Sequence, residues 1–173
     1  MRLWARIPLK VSCLAELGDR LVVIFDGHCG LCNRTVRWLL RRDRRDQLRF
    51  VASESEMAAG LLARHGIGPE VQGSGPGTIP VSTIRPRTIQ PSTILVVRDA
   101  GGLGERVFTR SEALVELLGE LPRPWPAVGV ALGWVPGPVR DLGYQMIARW
   151  RYRIWGRLES CPLPTPEERE RFL

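Results

Sequence analysis

Lysine is nearly missing from this chain. Of its 25 basic side chains only Lys10 is a lysine, so arginine carries the formal net charge of +7. The arginines are spread over several segments and form no single block, which excludes a polybasic tail. An anionic partner or an arginine-rich genome would each account for the balance. Cysteine is scarce as well, at positions 13, 29, 32 and 161. In a chain of 173 residues, long enough to bury its own core, four cysteines with two of them almost adjacent do not make a disulfide framework. Histidine occurs twice, as His28 and His65, and there is no second Cys-x-x-Cys, so ligands for a structural zinc are not gathered in the sequence. Long hydrophobic runs are also lacking. The N-terminus has no continuous apolar core or small-residue cleavage site, which argues against a secretory signal and makes a reducing, cytoplasmic setting the expectation. The longest apolar stretch, Trp125 to Val139, is too short and too rich in proline and glycine to span a bilayer as a helix.

What is present is an ordered alternation of elements. Leu21 to Phe25 is a continuous run of strand formers, as in a strand covered on both faces. Cys32, Val36, Leu39 and Leu40 then share one stripe of a helix, and Leu48 to Ala52 reads as a second strand, parallel to the first by a right-handed crossover. Ser53 and Glu56 predict a capping box for a second helix through Met57, Leu61 and Leu62, ending near Gly66. Residues 67–92 are dense in Gly, Pro, Ser and Thr and read as a long surface loop. Thr93 to Arg98 and Glu105 to Thr109 flank a turn-rich DAGGLG and predict a hairpin. Thr109 and Glu112 predict the cap of a third helix, with Leu114, Leu117, Leu118 and Leu121 as its stripe.

The order β-α-β-α-β-β-α is the thioredoxin-like arrangement. It places the core at 21–121, with an N-terminal extension at 1–20 and a helical appendage and tail at 122–173. Apolar residues 142, 146, 150 and 154 follow an i, i+4 series, which predicts a helix packed by that stripe with its arginine heads in solvent.

The chemistry concentrates in Asp26-Gly-His-Cys-Gly-Leu-Cys-Asn33, at the exit of the first strand. A cysteine at a helix N-terminus meets unpaired backbone N–H groups and the positive end of the helix dipole, which favour its thiolate. Cys29 is therefore the expected nucleophile. Cys32, one turn later, is the expected resolving thiol of a mixed disulfide on Cys29. Asp26 can accept the proton of Cys32 or bond backbone N–H groups of its own turn. His28 can stabilise the thiolate as an imidazolium or be a solvated turn residue. Asn33 after Cys32 disfavours haem attachment.

With these residues in view, the chain resembles the DCC family, a thioredoxin-like group of thiol-disulfide oxidoreductases named for an Asp-x-x-Cys-x-x-Cys motif, here Asp26, Cys29 and Cys32. The likeness continues through SEALVELLGEL (111–121), WVPGPVRDLGYQMIARWRYRIWGR (134–157) and the closing Cys161-Pro162 with EERERFL. It implies a thioredoxin-like fold, a redox-active cysteine pair and a supporting Asp26, acting on a disulfide-containing protein or a small thiol substrate. No cofactor and no metal are expected. Two departures stand out, the length of the 67–92 loop and Trp150, where a polar residue is more typical. Thioredoxin-like proteins carry a cis-proline before the third strand that faces the cysteine pair. Pro91 matches that place in order and is the candidate substrate-binding residue with His28, although Pro80 and Pro86 share the loop. Cys161 is either a third thiol or a small buried group, and Cys13 lies outside the matched region.

Two other readings start from other residues. The Arg149-Trp-Arg-Tyr-Arg-Ile-Trp-Gly-Arg157 segment interleaves arginine and aromatic side chains, as in modules that hold an anionic membrane surface or nucleic acid. Of these, peripheral membrane contact through the appendage is kept as an expectation and nucleic acid is not. A metal-binding thioredoxin-like protein without turnover is the third reading.

Overall fold

The computed structural model describes residues 17–65, 94–158 and 165–173. Pro91, Cys13, Cys161 and the 67–92 loop lie outside the described residues.

The element order follows the alternation of apolar runs. Strand β1 (Leu21–Phe25) leads to helix α1 (Gly30–Arg42), β2 (Leu48–Ala52) and α2 (Glu56–Arg64). The hairpin β3 (Leu95–Arg98) and β4 (Arg106–Thr109) follows, then α3 (Arg110–Glu120), α4 (Trp125–Gly133), α5 (Gly137–Trp155) and a 3-10 turn at Arg169–Arg171. The sheet order is β2-β1-β3-β4. β1 runs parallel to β2, from Leu21 beside Leu48 to Phe25 beside Ala52, while β1–β3 and β3–β4 are antiparallel. This is a mixed α/β fold of the thioredoxin-like kind.

All five residues of β1 are buried because the strand is covered on both faces. Leu21, Val23 and Phe25 point to one face and pack with Cys32, Val36 and Leu39 of α1 and Ala113 and Leu117 of α3. Val22 and Ile24 point to the other and meet Ala58, Leu61 and Leu62 of α2. Asp43 closes the α1–β2 turn, its carboxylate accepting the N–H groups of Gln47 and Leu48 at 3.0 Å each. The C-terminal tail covers the outer side of β2, where Leu173 N–H donates to Phe50 O at 3.0 Å and the Phe172 ring sits 5.6 Å from that of Phe50.

The helix starts differ from expectation in two places. Ser55, not Ser53, caps α2, its hydroxyl accepting the Ala58 N–H at 3.2 Å. Ser53 instead continues the strand end, donating its N–H to Phe25 O. Thr109 sits at the N-cap of α3 but makes no side-chain cap bond. At α2 the helix starts two residues later than the Ser53-x-x-Glu56 pattern suggests, because the Ser53 N–H is already committed to Phe25 O; at α3 the expected residue holds the cap position without the bond.

The appendage is folded onto the α1 and α3 side. Gly129 lets α4 approach α3 closely, since a Cβ there would lie 3.2 Å from Leu118 Cβ. Trp125 meets Trp38 of α1 edge to face at 4.6 Å, with the Arg42 guanidinium 4.2 Å over the Trp38 ring. Helix α5 is tied to α3 by Ser111, which bonds Asp141 and accepts Arg140 Nε at 2.9 Å. It is tied to the sheet by the Tyr144 hydroxyl, which accepts Ile94 N–H at 2.8 Å.

The packing face of α5 is the reverse of the expected one. Leu142, Met146, Trp150 and Ile154 are all more than half exposed, whereas Arg151 is buried. The i, i+4 rule identified a true apolar stripe, but periodicity does not say which side of a helix the core lies on. Here polar bonds through Arg140, Asp141, Tyr144 and Arg151 orient the helix, and the apolar stripe faces outward.

Candidate active site

At the end of β1 the chain turns through Asp26-Gly27-His28 and enters α1 at Gly30, with Cys29 as the N-cap in an extended conformation. The turn is held from within. Asp26 Oδ1 accepts the His28 N–H at 2.9 Å, and Cys29 N–H donates to Asp26 O at 3.3 Å. Asn33 laces the same loop, its side-chain amide donating to Gly27 O at 2.7 Å and to Cys29 O at 3.1 Å.

The two sulfurs differ sharply in electrostatics. Cys29 Sγ accepts the Cys32 N–H at 3.4 Å, so the sulfur itself serves as helix cap. The hydrogen bond from the Cys32 thiol is the strongest influence and lowers the Cys29 pKa to about 6, against the opposing effect of burial. The Cys32 backbone N–H and the Arg151 charge act in the same direction. Cys32 is pushed the other way, first because its thiol donates to Cys29 and then because it is buried. One thiol is thus poised as a thiolate and the other held protonated beside it. Cys29 is 0% exposed and Cys32 4%.

The appendage completes the site. Arg151 Nη2 of α5 donates to Asp26 Oδ2 at 3.1 Å and to the Tyr152 hydroxyl at 2.8 Å, and that hydroxyl donates to the same Asp26 oxygen. Burial, and then the bond to Asp26, push the Tyr152 hydroxyl above its ordinary pKa, which keeps it a donor. Arg151 Nε is the one buried side-chain polar atom without a hydrogen-bond partner among the described residues. The Arg151 guanidinium therefore neutralises Asp26 and still acts at a distance on both thiols.

Just past α5 the chain lies against the cysteine loop like a short strand. Leu158 N–H donates to His28 O at 2.8 Å, Gly30 N–H to Gly156 O at 3.4 Å, and Cys29 pairs antiparallel with Arg157. His28 Nδ1 lies 3.2 Å from Leu158 O, and since a carbonyl only accepts, this nitrogen donates. Gly30 is required by that approach, because a Cβ would run into the Trp155 carbonyl oxygen.

Asp26, His28, Cys29 and Cys32 are thus brought together, while Pro91 and Cys161 fall outside the described residues. Of the two alternatives weighed for Asp26, the turn bond is present at one oxygen, while the other oxygen is taken by Arg151 and Tyr152. Sequence reasoning missed Arg151, Tyr152, Asn33 and Gly30. The signal for the first two was their place in the Arg149–Arg157 run of interleaved arginines and aromatics, within the segment that carries the family likeness.

A thioredoxin-like sheet with a cysteine pair at the exit of its central strand defines the class. The chain belongs to the DCC1-like thiol-disulfide oxidoreductase family, whose model matches residues 23–75 and 76–157. It is 30% identical over 152 residues to the uncharacterized protein YuxK of Bacillus subtilis, covering 88% of this chain and 93% of that protein. It is also 30% identical over 154 residues to the chloroplastic DCC family protein At1g52590 of Arabidopsis thaliana, covering 89% of this chain and 76% of that protein. No solved structure matches.

Proposed function

We propose that the protein is an enzyme of dithiol-disulfide exchange in which Cys29 attacks a substrate disulfide and Cys32 resolves the product. The Cys29 thiolate forms a bond to one substrate sulfur, and the other leaves as a thiolate. Cys32 then loses its proton and attacks Cys29, which releases the second substrate sulfur and leaves a Cys29–Cys32 disulfide, so that two electrons pass to the substrate. The observation that carries this reading is the asymmetry of the pair, with Cys29 lowered to about 6 and Cys32 raised. Asp26 is the acceptor for the Cys32 proton, and Arg151 and Tyr152 hold its carboxylate in place. The same chemistry run backward oxidises a dithiol. The partners are a disulfide-containing protein or a small thiol, with no cofactor.

No helix among the described residues is long and apolar enough to cross a membrane. A cytoplasmic location is proposed because a reducing pool there would regenerate the dithiol.

The test is exchange with a model disulfide. Cys29→Ser abolishes it, and Cys32→Ser accumulates a mixed disulfide on Cys29 that mass spectrometry detects. Undiminished exchange by Cys29→Ser would remove the assignment.

A further inference from the structure

Of eleven large apolar side chains exposed among the described residues, ten lie between Val128 and Ile154. Seven lie on α5, a helix of 19 residues: those at 139, 142, 146, 147, 150 and 154 form one continuous face, while Tyr152 turns to Asp26 on the other side. Trp134, 86% exposed, lies at the end of α4, just before α5. A patch of this kind on a soluble domain marks a contact surface.

Its charges select the partner. Arg149 and Arg153 are exposed along the margin of the stripe, and the Arg153 guanidinium lies 5.9 Å from the Trp150 ring. Across α4 and α5 the only acid is Asp141, which is bonded to Ser111 and lies 3.8 Å from Arg110. The face therefore combines tryptophan and aliphatic side chains with unopposed cations. A second copy of the chain is disfavoured as occupant, because a two-fold contact would bring these arginines together with no carboxylate to pair them.

We propose that this face of α4 and α5 docks on an anionic lipid surface, with α5 lying in the interfacial plane, its apolar stripe among the acyl chains and its arginines at the headgroups. The surface stands independently of the dithiol chemistry. The opposite face of α5 carries Arg151, so docking would hold the cysteine pair close to the membrane.

The full chain is centrifuged with phosphatidylcholine vesicles containing phosphatidylglycerol, and with vesicles of phosphatidylcholine alone. It should sediment with the anionic vesicles and less as salt rises. Leu142→Gln/Trp150→Gln should lower the partition coefficient by about tenfold or more, through lost apolar burial. Both positions are exposed, and an unchanged Cys29 thiolate titration verifies folding. Arg149→Gln/Arg153→Gln should erase the preference for anionic vesicles. Equal partitioning of Leu142→Gln/Trp150→Gln and the parent, or no sedimentation with either vesicle, overturns the proposal. A dimer in analytical ultracentrifugation that this double variant dissolves would assign the face to a second copy and overturn it equally.

Discussion

Arg151 and Asp26 are 125 residues apart in sequence and meet at 3.1 Å, both nearly excluded from solvent. Breaking such a pair from one side leaves an uncompensated buried charge, which is far more costly than the pair itself is stabilising. Arg151→Met is therefore expected to destabilise the protein by about 3–5 kcal/mol, measured by urea unfolding. It should also raise the Cys29 pKa, read from thiolate absorbance against pH. Arg151→Lys restores the charge without the fork and should recover the thiol titration more fully than the stability.

Asp26→Asn separates the proton-acceptor role from the structural one. Resolution of the mixed disulfide by Cys32 should slow by more than the first attack by Cys29, measured in stopped-flow exchange. Equal slowing of both steps would leave Asp26 with a structural role alone.

The reduced protein should respond to pH in a defined window. Cys29 is lowered from 9.0 to about 6, so the folded state releases this proton before the unfolded chain does. The resulting stabilisation is fully present above the unfolded value and is lost as pH falls through about 6. Stability of the reduced form should rise between those two values, and Cys29→Ser should flatten that rise in denaturant titrations at stepped pH.

Gly30→Ala forces a side chain against the Trp155 carbonyl, and the backbone of 155–158 must move to relieve it. Destabilisation of about 1–3 kcal/mol should accompany faster alkylation of Cys29, which that segment covers. Iodoacetamide labelling followed by mass spectrometry measures the second effect.

Ser55→Ala should cost about 1 kcal/mol, because Ser55 caps α2. Thr109→Ala should cost less, since Thr109 makes no cap bond at α3. Thermal unfolding of the two variants ranks them.

The core was legible because its signals are local. Leu21–Phe25 read as a strand covered on both faces, and the strand-turn-helix junction put Cys29 at a helix start. The second half of the site was not legible. Arg151 pairs with Asp26 across nearly the whole chain, and no short-range pattern carries that contact. The stripe at 142, 146, 150 and 154 was read correctly as one face of a helix and assigned to the wrong side, because burial of α5 is decided by its polar bonds. Nothing local in the sequence marked Gly30, whose need for no side chain comes from the distant Trp155 carbonyl.

The segment after α5 that pairs with His28 and Cys29 also sets the order in which the site is completed. During synthesis the cysteines emerge early, and the βαβ half can begin to fold on local contacts. Residues 151–158 leave the ribosome only after more than a hundred further residues, at about 5–20 residues per second. Until then Asp26 lacks its Arg151 partner, and Cys29 has the bonds from Cys32 but not the added pull of the Arg151 charge. Arrival of α5 and the segment after it thus adds the Arg151 charge to a cysteine that its own turn already favours as a thiolate, and covers that cysteine in the same step.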